Sequence, residues 1–118
     1  RSVVLASYEH RCAVSLITAP ELLNASHIIP WHESEERRTD PSNGLCLNAI
    51  YDRAFDRGLI TFDQNNRLVV SSILKSGAIP DLQHLNFNAI EGSALHLPHR
   101  FSPDPEAMEH HRSTTFRP

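Results

Sequence analysis

Histidine is the residue type in this chain with the clearest chemical meaning, because eight of the 118 residues are histidines. They lie mostly in two regions, residues 10–32 and 84–111. An imidazole titrates near neutral pH and can bind a metal ion through a ring nitrogen, so this bias indicates proton or metal chemistry. His27 lies between a serine and two isoleucines in the stretch "NASHIIPWHE". Taken alone, a histidine in such an apolar stretch is typical of packing.

Acidic and thiol side chains narrow the kind of metal site that the chain could form. Asp52 and Asp56 are four positions apart in the helix-like segment "AIYDRAFDRG", so they share one helix face. The two cysteines, Cys12 and Cys46, belong to no Cys-x-x-Cys pair, which excludes a four-cysteine zinc site by counting. We expect them to be small buried thiols.

The composition indicates one soluble domain, with 40% hydrophobic and 21% charged residues in a chain of 118. No apolar run approaches the roughly 20 residues that span a bilayer, and no export signal is recognisable, so we expect a cytoplasmic protein. The net charge of −3 does not favour binding of nucleic acid by charge alone. Arginine is locally dense, however, at Arg37 with Arg38 and at Arg53 with Arg57. Nucleic acid is therefore neither required nor excluded.

The elements around His27 can be predicted from turn signals. "PELLNASHII" has a strand pattern that Pro30 ends, which places His27 near the end of a strand. The polar residues 32–44, with Asp-Pro and Asn-Gly, form a surface loop before the short strand "LCLN". The following helix closes at Gly58 in a left-handed conformation. This order predicts a compact site of two strands and a helix around one histidine and one acid.

The flanking segments are predicted to support this unit. Residues 1–14 suit a short helix, and "GLITF" with "RLVVSSIL" predicts a β-hairpin. "DLQHLNFNAI" fits either a short helix or a strand, whereas "PEAMEHHRSTTF" indicates a terminal helix with Pro105 near its first position. Trp31 is predicted to pack against the central helix, and the adjacent His110 and His111 are predicted to be structural or surface residues.

Two motifs in order resemble a known family. The stretches "LLNASHIIPW" and "TDPSNGLCLNAIYDRAFDRGLITFD" resemble the HNH endonucleases, in the branch with a His-Ile-x-Pro-Trp strand and an Asn-Gly-Leu…Phe-Asp-x-Gly segment found in restriction-type enzymes. The likeness covers residues 8–70 well, and the end of the chain resembles the proline-rich tail of that branch. Each motif alone is a weak signal, but their order and separation make the resemblance specific. It implies an α+β fold with a ββα-metal (His-Me finger) core, an added β-hairpin and flanking helices.

The same resemblance implies hydrolysis of phosphodiester bonds with one divalent cation. His27 would be the base, Asn43 would fix the loop and orient the His27 ring through a carbonyl, and Asp52 together with His27 would hold the cation. If the register shifted by one, the helix position would fall on Tyr51, a poor ligand for magnesium, so Asp52 is preferred. A carboxylate ligand favours Mg²⁺ or Mn²⁺ over zinc.

The chain departs from the family pattern at Ser26, where the wider family often has an acid. The cation could therefore be held by Asp52 with His27, with waters, with Asp56 or with substrate phosphate, or the site is impaired. Arg53 and Arg57 are candidate contacts to DNA phosphates. Their alternative interpretation is a solvated helix face.

These observations predict a metal-dependent DNA endonuclease, with residues 1–118 as a single HNH nuclease domain. Because the chain begins at Arg1, we expect a C-terminal fragment of a larger enzyme with an upstream DNA-recognition domain. The expected parent is a bacterial restriction enzyme, including those that depend on DNA modification, and a homodimer is a further expectation. Membrane partners are not expected. The alternatives are a catalytically impaired DNA-binding module and a zinc-stabilised interaction module.

Overall fold

The computed structural model describes residues 1–30 and 32–118, so the packing prediction for Trp31 lies outside the described residues. Helices and short antiparallel strands alternate along the chain, which confirms the α+β prediction. In chain order the elements are α1 (Ser2–Ser7), β1 (Leu23–His27), β2 (Gly44–Asn48), α2 (Ala49–Asp56), β3 (Ile60–Phe62), β4 (Leu68–Val70), α3 (Asp81–Asn86) and α4 (Pro105–His110).

The central unit consists of β1, β2 and α2. The two strands pair antiparallel, from Leu23 opposite Asn48 to His27 opposite Gly44. The Asn48 side chain then accepts hydrogen bonds from the backbone N–H groups of Ile50 and Tyr51 and so caps the first turn of α2. Because α2 follows β2 without a linker, it packs back against both strands. The predicted order of strand, loop, strand and helix is confirmed.

Strands β3 and β4 pair antiparallel as the predicted β-hairpin. The apolar core lies between the central unit, this hairpin and the terminal helix. Its fully buried side chains include Phe55 of α2, Leu45 and Leu47 of β2, and Ile60 and Phe62 of β3. Cys12 and Cys46 are buried thiols that form no disulfide, as predicted. None of the helices in the described part of the chain is long and apolar enough to cross a membrane.

The flanking elements follow the predictions. The first helix ends at Ser7, within the predicted residues 1–14, and a turn follows it. The segment "DLQHLNFNAI", for which the sequence allowed either a helix or a strand, is helical. It forms α3 and then a 3₁₀ turn at Asn88–Ile90. The terminal helix begins at Pro105 but continues beyond His110 as a wider π-helical turn, His111–Thr115. Within that turn His111 is buried against α2 and β3.

Gly58 connects α2 to β3 in the predicted left-handed conformation, with φ of +74°. A Cβ at this position would lie 2.2 Å from the carbonyl oxygen of Thr115. We therefore expect Gly58→Ala to lower the free energy of unfolding by more than about 1 kcal/mol, because an alanine there has both a strained backbone and a clash with Thr115. Urea unfolding measures this change.

Gly77 offers a matched control for that substitution. Its φ is +73°, but an added Cβ would meet nothing within 4 Å. Gly77→Ala should cost only the strain of the left-handed conformation, about 1 kcal/mol. Equal losses in the two variants would show that the close approach of Thr115 to Gly58 contributes nothing.

Candidate active site

His27 is the last residue of β1 and its ring is partly buried. The ring hydrogen bonds to the backbone of Arg38, and because this bond raises the pKa of His27, its acceptor is the Arg38 carbonyl. Burial has the largest effect and lowers the pKa below the usual 6.5, while the bond to Arg38 and the charge of Asp52 act in the opposite direction. His27 is therefore neutral at pH 7, with one ring nitrogen occupied by the loop.

Asn43 closes the loop that carries Arg38. Its side chain is buried, and its Oδ1 accepts a hydrogen bond of 2.9 Å from the N–H of Ile29. Its Nδ2 donates to the carbonyl of Ile29 at 3.0 Å and to that of Arg37 at 3.3 Å. One amide thus ties the chain just after His27 to the residue just before Arg38.

Asp52 lies on the side of α2 that faces β1. Its Oδ1 accepts a hydrogen bond of 2.5 Å from the Ser26 hydroxyl, and its Oδ2 accepts one of 3.1 Å from the Asn24 amide. The neighbouring Tyr51 points into the core, where its hydroxyl donates to the carbonyl of Asn86 at 2.7 Å. Of the two register alternatives, the structure therefore brings Asp52 and not Tyr51 to the site.

Asn24 was not identified from the sequence, although a signal was present. Asn24 and Ser26 are two positions apart on β1, so both side chains project from the same face of the strand. Two short polar side chains on one face of a strand next to an acidic helix are typical of a hydrogen-bonded carboxylate. The period of two could have identified this pair.

Two surface cavities meet at these residues. The first, of about 710 Å³, also contains Asn43 and Arg38 in its wall. The second, of about 750 Å³, also contains Arg53 and Arg57. Both are lined by Ala25, Ser26, His27 and Asp52. The structure therefore brings all five sequence-predicted site residues to one region of the surface.

The donor set at this junction fits a hard divalent cation held by few protein ligands. Mg²⁺ commonly uses one or two carboxylates and keeps several waters, and the partly exposed Asp52 can serve in this way. Across residues 1–30 and 32–118, no group of three or more His, Cys, Asp or Glu side chains could hold a metal ion. A structural zinc site requires four ligands, so the described residues do not support a zinc-stabilised module.

Comparison with known proteins gives a family match. The sequence model of the HNH endonuclease family matches residues 12–63, which contain β1, β2, α2 and β3. Over these residues, less than half of the chain, the protein is similar to the HNH endonuclease family. The match includes His27, Asn43 and Asp52, although it assigns none of them a role.

The fold of this chain is also found in a solved structure named "Modification dependent TagI restriction endonuclease". The two superimpose with a TM-score of 0.65 at 23% sequence identity, over 94% of this chain and 35% of the other. The chain thus spans about a third of that relative, and the likeness supports the shared fold. No curated protein shows a significant match.

A residue outside the matched segment restrains the loop beside the candidate site. Arg37 of the polar loop forms a hydrogen-bonded ion pair with Asp104, which lies just before α4. No local sequence pattern predicts this pair, because its residues are 67 positions apart. Opposite charge alone was too common a signal to select it.

Proposed function

We propose that this HNH domain hydrolyses phosphodiester bonds in DNA with one divalent cation, Mg²⁺ or Mn²⁺. We further propose that it is the cleavage module of a bacterial restriction enzyme that depends on DNA modification. The observation that carries the proposal is the position of His27 and Asp52 at the junction of the same two cavities. A base and a cation ligand are the two groups that this reaction requires side by side.

His27 acts as the general base in this mechanism. Its ring nitrogen facing the cavity takes the proton from the attacking water, while the other nitrogen keeps its bond to the Arg38 carbonyl. Because burial lowers the pKa of His27, the ring is in its neutral, proton-accepting form at pH 7. Asn43 holds the backbone that presents the carbonyl.

Asp52 would hold the cation, with water and substrate phosphate as the further ligands. His27 is not among them, because one ring nitrogen bonds to the Arg38 carbonyl and the other takes the proton. The hydrogen bonds from Asn24 and Ser26 fix the direction of the carboxylate, as outer hydrogen bonds commonly do for metal ligands. When bound, the cation neutralises the negative charge that develops on the phosphate and the leaving oxygen.

Arg53 and Arg57 bind the DNA backbone next to the cleaved bond. Both side chains are exposed on α2 and line the second cavity together with His27 and Asp52. Guanidinium groups pair well with phosphate oxygens, and such contacts orient the duplex without reading its sequence. We assign sequence recognition to an adjoining DNA-recognition domain, because phosphate contacts carry no sequence information.

Asp52→Ala tests the metal part of the proposal. We expect the variant to bind Mn²⁺ at least about tenfold more weakly than the parent, because it loses the carboxylate ligand. Calorimetric titration measures the affinity, and a plasmid-nicking assay in Mg²⁺ or Mn²⁺ measures cleavage. Asp56→Ala is the matched control, since Asp56 is an exposed acid on the same helix.

The unsubstituted protein distinguishes a nuclease from a DNA-binding module. If it neither binds metal nor nicks plasmid in either cation, the result would contradict the nuclease and favour an impaired DNA-binding module. If Asp56→Ala weakened metal binding as much as Asp52→Ala, the assignment of Asp52 as the main ligand would be wrong.

A further inference from the structure

We infer that the C-terminal strap, residues 102–106, positions the base through the Arg37–Asp104 ion pair. Arg37 and Asp104 are then positioning residues for DNA cleavage. The inference rests on the proposed function of His27 as the base. Asp104 lies outside residues 12–63, so the family match does not include this half of the pair.

The strap and α4 contact the polar loop, residues 32–43, at several points. The N–H of Asp104 donates to the carbonyl of Ser42 at 2.9 Å, and the Asp104 carboxylate accepts from the guanidinium of Arg37. At the other end of the loop, His110 Nε2 lies 2.9 Å from Glu33 Oε1. The loop contains little regular structure of its own, so these contacts restrain it from outside.

The path from the ion pair to the base is short. Arg37 and Arg38 are consecutive, so only the φ and ψ rotations of Arg38 separate the Arg37 carbonyl from the Arg38 carbonyl. The Arg37 carbonyl accepts a hydrogen bond from Asn43, and the Arg38 backbone holds the His27 ring. Displacement of the Arg37 side chain therefore shifts the acceptor that orients His27.

The ion pair is better shielded than the exposed pairs of this chain. The side chains of Arg37 and Asp104 are 22% and 28% exposed, against 59% and 61% for Arg57 and Asp56. The hydrogen bond from Arg37 is the largest cause of the lowered pKa of Asp104. A partly buried, hydrogen-bonded pair is screened less by solvent than a surface pair and can hold a loop in one conformation.

Asp104→Ala tests the inference by two independent readouts. We expect the ¹⁵N shifts of the His27 ring to show one neutral tautomer in the parent and a mixture in the variant, since the Arg38 carbonyl no longer selects one nitrogen. We expect the cleavage rate to fall roughly tenfold through misorientation of the base, with Mn²⁺ affinity unchanged. Arg37→Ala should match it, and the double variant should be no worse than either single variant.

Lys75→Ala provides the matched control, because it removes the 2.8 Å ion pair with Glu91 away from the polar loop. It should leave the tautomer and the rate unchanged. If Asp104→Ala does not fold, Asp104→Asn keeps the side-chain volume and should shift the tautomer in the same direction.

Two results would overturn the inference: a single parental tautomer in the Asp104 variants, or additive losses in the double variant. The first result does not depend on the proposed function, because the tautomer is read without cleavage. The second does, because the losses are losses of cleavage rate. If the unsubstituted protein does not cut DNA but its His27 keeps one tautomer, the nuclease proposal would be contradicted. The positioning of His27 by the Arg37–Asp104 ion pair would not be.

Discussion

Replacement of His27 by alanine is expected to lower the rate of DNA cleavage by about 10²–10⁴-fold, the usual contribution of a general base. The variant keeps Asp52 and its hydrogen bonds from Asn24 and Ser26, so metal binding should persist. Plasmid nicking under single-turnover conditions measures the loss. A rate equal to that of the parent would show that His27 is not the base.

The fold should survive this substitution. The His27 ring is only partly buried, and its bond to the Arg38 carbonyl contributes about 1 kcal/mol to stability. Circular dichroism and thermal unfolding check that the inactive variant is folded. His84→Ala is the matched control, because this exposed histidine on α3 lies outside both cavities and should cut at the parental rate.

Acid should destabilise the domain through His111, between about pH 6.5 and pH 4. This residue is buried and its ring stacks on Phe55 at 3.7 Å between ring centroids. Its Nε2 donates to the carbonyl of Phe55, so its Nδ1 accepts the hydroxyl of Thr61, both at 2.8 Å. The neutral ring is thus fully satisfied, and burial lowers the pKa of His111 to about 4.

The sign of the effect follows from comparing the folded and unfolded chains. Above pH 6.5 the histidine is neutral in both, and its full contribution to stability is present. Below that pH the unfolded chain takes up a proton that the folded chain does not, so stability falls as pH decreases towards 4. The shift from 6.5 to about 4 corresponds to a loss of about 3 kcal/mol.

Urea unfolding at several pH values measures this loss, and His111→Gln is the comparison, since it removes the titrating group. The variant is expected to be less stable at pH 7 but to lose stability less steeply between pH 6.5 and 4. Equal slopes in parent and variant would contradict the role of His111. An NMR titration of the His111 ring checks the lowered pKa directly.

Much of the local structure follows from the sequence because short-range rules govern it. The Asn48 cap begins α2 and the left-handed Gly58 closes it, each through the conformational limits of one or two residues. Asn43 before Gly44 ends the polar loop in the same way. The extent of β1 was predicted less well, since the strand ends at His27, before Pro30, and Leu22 lies in a 3₁₀ turn.

By itself, the sequence therefore determined the α+β order, the family resemblance and the residues that the candidate site contains. It preferred Asp52 over Tyr51 on ligand chemistry alone. Only the tertiary structure showed which of the two side chains faces that site, because the rotation of α2 depends on the core that receives Tyr51 and on Asn24 and Ser26 across from Asp52. The Arg37–Asp104 pair and the buried His111 likewise depend on contacts between distant segments, which no local pattern encodes.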